Sequence, residues 1–381
     1  MNTKTQSVYR ADHSAETALL RVSNDINLAL DNHNDVVLVL LDLSSALDTI
    51  DQSVLMDRLY TRFGLRGIAL AWIKSYLTNR SQAVVIKDVH SFSAKLTCGV
   101  PQDSVLGPLL FSLYVPIEDI IIAHSLQSMI FLDDTQMYLV MQRSKQSSCL
   151  SKLELCAQDI LSWMADNELL CNSSKTEILH FSSCYLQRQP IAAANIAGFE
   201  IKTSVNARDI GVTLDQCLTM STHVSNLCKS ASFALKRIGN IRQYLDQLST
   251  EKLVHAFVSS KLDYCNSLLY GLPDKEISKI QRVQNSSARL VTKAKRADHI
   301  TPILRKLHWL PVRKRLIFKI LLFTYKILNG LAPCYLAELI NLRQPTRCLR
   351  SNNDHLRLHI PVVTTKTFFI LCAGTVEQPP T

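Results

Sequence analysis

Met129–Val140 reads MIFLDDTQMYLV: two apolar, β-prone runs on either side of Asp133 and Asp134. Strand side chains alternate between faces, and two such runs joined by a very short polar break are the signature of a tight hairpin. The pattern predicts two antiparallel strands with both acids at the tip. A second apolar run, Val36 to Leu43 (VVLVLLDL), carries Asp42 near its end. Its unbroken Val and Leu suit a strand buried on both faces, and equally a buried helical segment. Ala83 to Ile86 offers another short strand. After the chain break Gly99-Val100-Pro101, Ser104 to Tyr114 reads as a helix with Pro108 in its first turn.

Three carboxylates thus stand in apolar company. A lone buried carboxylate is costly, and adjacent carboxylates repel. A divalent cation removes both penalties, because carboxylate oxygens are the hard ligands that Mg²⁺ takes. Three such acids can hold two ions about 3.5–4 Å apart, the arrangement used for in-line phosphoryl displacement. The other reading of Asp133-Asp134 is a hairpin turn facing water. Asp42 alone also reads as the cap of a following segment.

The 381 residues allow two or three domains, and 47% hydrophobic with 19% charged residues is a globular composition. No apolar run is long enough for an ordinary membrane span, and the start lacks a signal-peptide pattern. Eleven cysteines occur without a Cys-x-x-Cys, which argues against a zinc knuckle and for reduced thiols. An intracellular protein is expected, with nucleus and cytoplasm both open. The net charge of +10 is uneven: Ala231 to Arg350 holds 22 basic and 7 acidic residues, +15, so the remaining 261 residues carry −5. Within the basic part, the helical segment Lys275 to Lys295 puts Lys275, Lys279, Arg282, Arg289 and Lys293 on one face. Ile277, Ile280, Val283, Ala288, Leu290 and Val291 fill the opposite one. A second helix, Val312 to Asn329, carries Arg315, Lys319 and Lys326 in one stripe, with Pro311 before it and Gly330 to end it. Such faces fit nucleic-acid backbones, or are simply solvated.

Leu41-Asp42-Leu43-Ser44-Ser45-Ala46-Leu47-Asp48-Thr49-Ile50-Asp51 resembles the first palm motif of reverse transcriptases from non-LTR (LINE-type) retrotransposons. Cys98 to Pro108 (CGVPQDSVLGP) and Phe131-Leu132-Asp133-Asp134 resemble the two motifs after it. Ser174-Lys175-Thr176-Glu177 and Leu214-Asp215 resemble later segments, and His299 to Pro302 with Leu307 to Arg313 the C-terminal region of one animal lineage. The resemblance spans about residues 5 to 340. It implies an α+β fold: a right-hand polymerase palm, an antiparallel sheet packed on helices, then a mainly helical thumb and C-terminal region. The domains expected are 1–35 as a partial fingers remnant, 36–215 as palm, 216–343 as basic helical thumb, and 344–381 as a loose tail.

By the same resemblance the chain is an RNA-directed DNA polymerase core, extending a primer 3′-hydroxyl by two-metal nucleotidyl transfer. Asp42 and Asp133 hold two Mg²⁺ ions with Asp134 alongside. Leu47, Gln102, Ser104 and Lys175 lie by the nucleotide and template, and Arg10 matches a fingers position. The implied partners are an RNA template, a DNA primer and a deoxynucleoside triphosphate, without a membrane; the oligomeric state is left open. Several positions depart from the family: Asp103 stands for a usual Gly, Leu47 for an aromatic, Leu132 for a small residue, and Gln52 for a His. Only 41 residues precede Asp42, which points to a truncated element copy of weak or lost activity. The alternative is an inactive product that at most binds nucleic acid.

Overall fold

The computed structural model describes residues 5–340, apart from 9, 45–46, 103, 115–116, 133, 143–144, 173, 184–190, 192 and 197–198. Asp103, Asp133 and the expected tail 344–381 therefore lie outside the described residues. In chain order come α1 (Ala15–Asp31), β1 (Asp35–Leu41), β2 (Leu43–Ser44), α2 (Gln52–Thr61) and α3 (Gly67–Leu77). Next are the short strands β3 (Arg80–Gln82), β4 (Val85–Ile86), β5 (Val89–His90) and β6 (Ala94–Leu96), then α4 (Gly107–Tyr114) and α5 (Ile117–Ala123). There follow β7 (Gln127–Phe131), β8 (Asp134–Met141), α6 (Gln146–Asp166), β9 (Leu170–Cys171) and β10 (Glu177–Phe181). Two small hairpins come after, β11 (Ala193–Ile196) with β12 (Phe199–Lys202), and β13 (Asn206–Asp209) with β14 (Val212–Asp215). The rest is helical: α7 (Ser221–Ile241), α8 (Gln247–Val254), α9 (Ser260–Asp263), α10 (Asp274–Thr292), α11 (Ile300–Lys306), α12 (Val312–Leu328) and α13 (Cys334–Ala337).

These elements form two compact units, one from Met1–Ala11, Asp35–His180 and Arg188–Ser204, the other from Asp12–Asn34, Phe181–Gln187 and Val205 onward. The first is built on a four-stranded sheet of order β10-β1-β8-β7, in which β8 runs antiparallel to both β1 and β7. Val36, Val37, Leu38 and Val39 are all fully buried. That is the strand covered on both faces that the unbroken apolar run suggested, each side chain contributing about 2 kcal/mol of burial. Val37, Val39 and Leu41 share a core with Leu110, Phe111 and Tyr114 of α4 and Ile160 and Met164 of α6. Arg58 of α2 ties the helices: its guanidinium donates to Tyr114 O and Asn167 Oδ1 and lies 4.4 Å from the Tyr114 ring centroid. The mixed helix-and-sheet class is as expected.

In the second unit the long helices are amphipathic. On α10, Ile277, Ile280, Val283, Ala288 and Val291 are buried, as the apolar face read from sequence predicts, while Leu290 of that face is only half-buried. Gly330 ends α12 with φ +69, its N–H on Ile327 O and the Leu331 N–H on Lys326 O, a Schellman closure. The unit also contains α1, which the sequence reading places in a fingers remnant. Ser14 and Thr17 cap α1 reciprocally. Glu16 Oε1 then accepts from Ser267 N (3.0 Å), Thr17 Oγ1 meets Tyr335 Oη (2.9 Å), and Arg21 donates to Tyr335 O (2.7 Å). These polar contacts, the first two of them buried, together with apolar Ala18, Leu19 and Val22 at 0% exposure, bind the helix to the C-terminal part of the sequence. Cys217 is disulfide-bonded, a departure from the expectation of reduced thiols throughout. Among the described residues no helix is long and apolar enough to cross a membrane.

Candidate active site

The hairpin MIFLDDTQMYLV forms as expected. Phe131 pairs with Asp134, so the connection is two residues long. Leu132 sits there with φ +64, a left-handed conformation that a branched side chain adopts only at a cost. The β1–β8 register ends on Leu41 opposite Thr135, and one step further along the two strands lie Asp42 and Asp134. The sheet thus brings these two acids to the same end of neighbouring strands.

Lys175 reaches the same corner by strand pairing. Leu43 pairs with Cys171 in the β2–β9 ladder, and Asn172 N–H donates to Asp42 O (2.8 Å). The chain then turns back on itself, with the Lys175 and Thr176 N–H groups both on Asn172 O (3.1 and 3.0 Å). Lys175 Nζ ends 3.3 Å from Asp42 Oδ2. That oxygen is closed off from solvent and has no hydrogen-bond partner among the described residues. The Cys171 thiol is pushed above its ordinary value by burial, lowered by the Thr176 hydroxyl and raised again by the negative charge of Asp42. No group of three or more His, Cys, Asp or Glu around a metal position occurs among the described residues, and Asp133 is not one of them.

The segment 98–108 is docked against 47–52. Gly99 N–H donates to Ile50 O and Val100 N–H to Leu47 O, both at 2.8 Å. Gly99 has φ +75, and a Cβ there would stand 2.7 Å from Asp48 O, so only glycine permits the approach. Gln102 Nε2 donates to Asp48 Oδ2 (2.6 Å). Ser104 Oγ accepts from Gly107 N–H (2.9 Å) and donates to Pro101 O (2.7 Å), which caps α4. Leu47 is half-buried and packs on the core of this unit. Arg10 donates to Gln6 O (3.0 Å).

The basic residues of the helical unit divide. Arg315 Nη1 lies 2.7 Å from Asp263 Oδ2, and Lys319 Nζ lies 3.0 Å from Glu16 Oε2. Lys279 Nζ is 2.8 Å from both oxygens of Glu276. Lys275 is exposed and Lys326 half-buried. Arg282, Arg289 and Lys293 instead line a groove of about 670 Å³ between α7 and α10, together with Lys236 and Arg242, and none of its lining residues is acidic. The sequence reading missed Lys236 and Arg242; only the amphipathic pattern of α7 signalled Lys236. Arg242 is buried and donates to Leu290 O and Val291 O (2.8 Å each), capping the end of α10. Arg289 Nε is buried with no hydrogen-bond partner among the described residues. Trp309 is buried with its Nε1–H donating to Glu251 Oε1 (3.2 Å), and Tyr264 donates to Ile210 O (2.7 Å) beside Gly211.

Residues 1–227 match the family model described as reverse transcriptase (RNA-dependent DNA polymerase). The chain is 29% identical over 299 residues to the probable RNA-directed DNA polymerase from transposon X-element of Drosophila melanogaster, covering 74% of this chain and 31% of the relative. It is 24% identical over 307 residues to the RNA-directed DNA polymerase from mobile element jockey of the same species, covering 76% and 32%. It therefore spans about a third of the length of the curated relatives it matches. Among solved structures, telomerase from Candida albicans in complex with a TWJ fragment of telomeric RNA aligns with a TM-score of 0.36 and 12% identity, over 81% of this chain and 51% of that one. With its ordered motifs, its acid-bearing hairpin and a family match over more than half its length, the chain belongs to the reverse transcriptase family, in the LINE-type group.

Proposed function

We propose that the chain is the core of an RNA-directed DNA polymerase, with the sheet unit as palm and the helical unit, α1 included, as thumb. The observation that carries this reading is the corner at Asp42. This carboxylate oxygen, shut off from water, meets the Lys175 ammonium at 3.3 Å but no hydrogen-bond donor among the described residues, and it suits a hard divalent cation. Asp42 and Asp134, with Asp133 by resemblance, would hold Mg²⁺, two ions in the family pattern. When bound, the metal supplies Lewis-acid activation of the primer 3′-hydroxyl and charge stabilisation at the leaving pyrophosphate. The chain's own residues do the rest. The sheet register sets the spacing of the acids, and Gly99 lets the 98–108 segment close on the 47–52 loop, where Gln102 and Leu47 would face nucleotide and template. Lys236, Arg282, Arg289 and Lys293 would hold the phosphate backbone of a template–primer.

The test is extension of a DNA primer on a defined RNA template with Mg²⁺. Expected is extension that Asp42→Asn and Asp133→Ala both abolish; product that survives both substitutions would sink the reading. The acid-free groove favours a second reading, nucleic-acid binding without catalysis, because it owes nothing to the carboxylates. Salt-sensitive binding of RNA with no extension at all selects that reading.

A further inference from the structure

Lys175 and Asp42 are matched in an unusual way. The Lys175 side chain is 66% exposed and that of Asp42 24%, so the ammonium reaches in from water to an oxygen that water does not reach. Charge is compensated at 3.3 Å, yet the contact lacks the geometry of a hydrogen bond. The backbone of Lys175 is fixed, through Asn172, to Asp42 itself. Its four-carbon stem is not, and a strongly hydrated ammonium on a flexible stem leaves for solvent easily. A divalent cation needs the same carboxylate oxygen, and two cations in contact repel.

We propose that Lys175 competes with the divalent cation for Asp42 Oδ2, so that metal binding expels the ammonium into water and the lysine sets the metal affinity of the site. This rests on the metal reading above and deepens it. It gives Lys175 a role against the metal, separate from any contact with nucleotide. The lysine compensates the charge of Asp42 until an ion takes over that role. The cost of displacing it keeps binding weak and reversible.

Mn²⁺ binding to the full chain, followed by the electron paramagnetic resonance signal of free Mn²⁺, tests the competition without any assay of catalysis. Lys175→Met and Lys175→Gln are expected to bind Mn²⁺ about tenfold more tightly than the natural chain. Lys175→Arg, which restores the cation, returns affinity to within about threefold, and Asp42→Asn removes the site. Binding that depends on Asp42 but is unchanged or weaker in Lys175→Met and Lys175→Gln overturns the competition and leaves the metal reading standing. No Asp42-dependent binding in any of these chains overturns both.

Discussion

Helices α10 and α12 carry the same signature in sequence, cations at helical spacing opposite an apolar face, and meet opposite fates. On α12, Arg315 and Lys319 are paired with Asp263 and Glu16. On α10, Arg282, Arg289 and Lys293 line a groove with no acid in its lining. The two helices differ in what stands across from them. A remote carboxylate turns a basic stripe into an internal fastening; without one, the same stripe keeps its charge for a ligand. Residue type and spacing on the helix itself do not distinguish the cases.

The largest effect expected is in the groove. Replacing Arg282, Arg289 and Lys293 together with Gln should weaken RNA binding about a hundredfold at low salt and reduce the salt slope by about 3. A filter-binding series across salt concentrations measures both, and the melting temperature should barely move. A slope that stays the same would erase the distinction between the helices. Next comes Lys319→Met, which strands the buried carboxylate of Glu16 and should cost about 2–3 kcal/mol in chemical denaturation while leaving RNA affinity alone. Adding Glu16→Gln should recover most of that loss, since the amide oxygen still accepts from Ser267 N–H. If Lys319→Met weakens RNA binding at unchanged stability, α12 belongs with α10 after all. The smallest change is expected at Lys279, which lies on α10 but is held by Glu276. Lys279→Gln should lower RNA affinity by less than about twofold, the behaviour of an internally paired cation.

Much of the fold could be read locally. The hairpin around Asp133-Asp134 formed with a two-residue connection because its alternation and its break are short-range signals. The strand Val36 to Leu41 was legible from its apolar run, although only the structure chose strand over helix. Gly330 closed α12 through a backbone conformation that glycine supports. What escaped the reading depends on contacts distant in sequence. Nothing near Glu16 says that it will meet Ser267 and Lys319, so the seat of α1 in the helical unit is not legible in its own sequence. Arg242 looked like one more cation, but its burial against the last carbonyls of α10 makes it a cap. At the candidate site, motif order brought out Asp42, Asp134 and Lys175, and the sheet and β2–β9 pairings bring them to one corner. Ser104 differs: its hydroxyl is engaged in capping α4, a role that the identity of the residue alone does not separate from ligand contact.

The placement of α1 also sets a timetable. The helix is made first, but its seat is completed by Ser267, Lys319 and Tyr335, among the last of the described residues to be synthesised. All of the sheet unit from Asp35 onward is translated in the meantime. On the ribosome the sheet can therefore close while α1, carrying buried Ala18, Leu19 and Val22, still waits for its partners. Contacts this far apart in sequence slow folding, so the helical unit is the later and more aggregation-exposed half of the chain during synthesis.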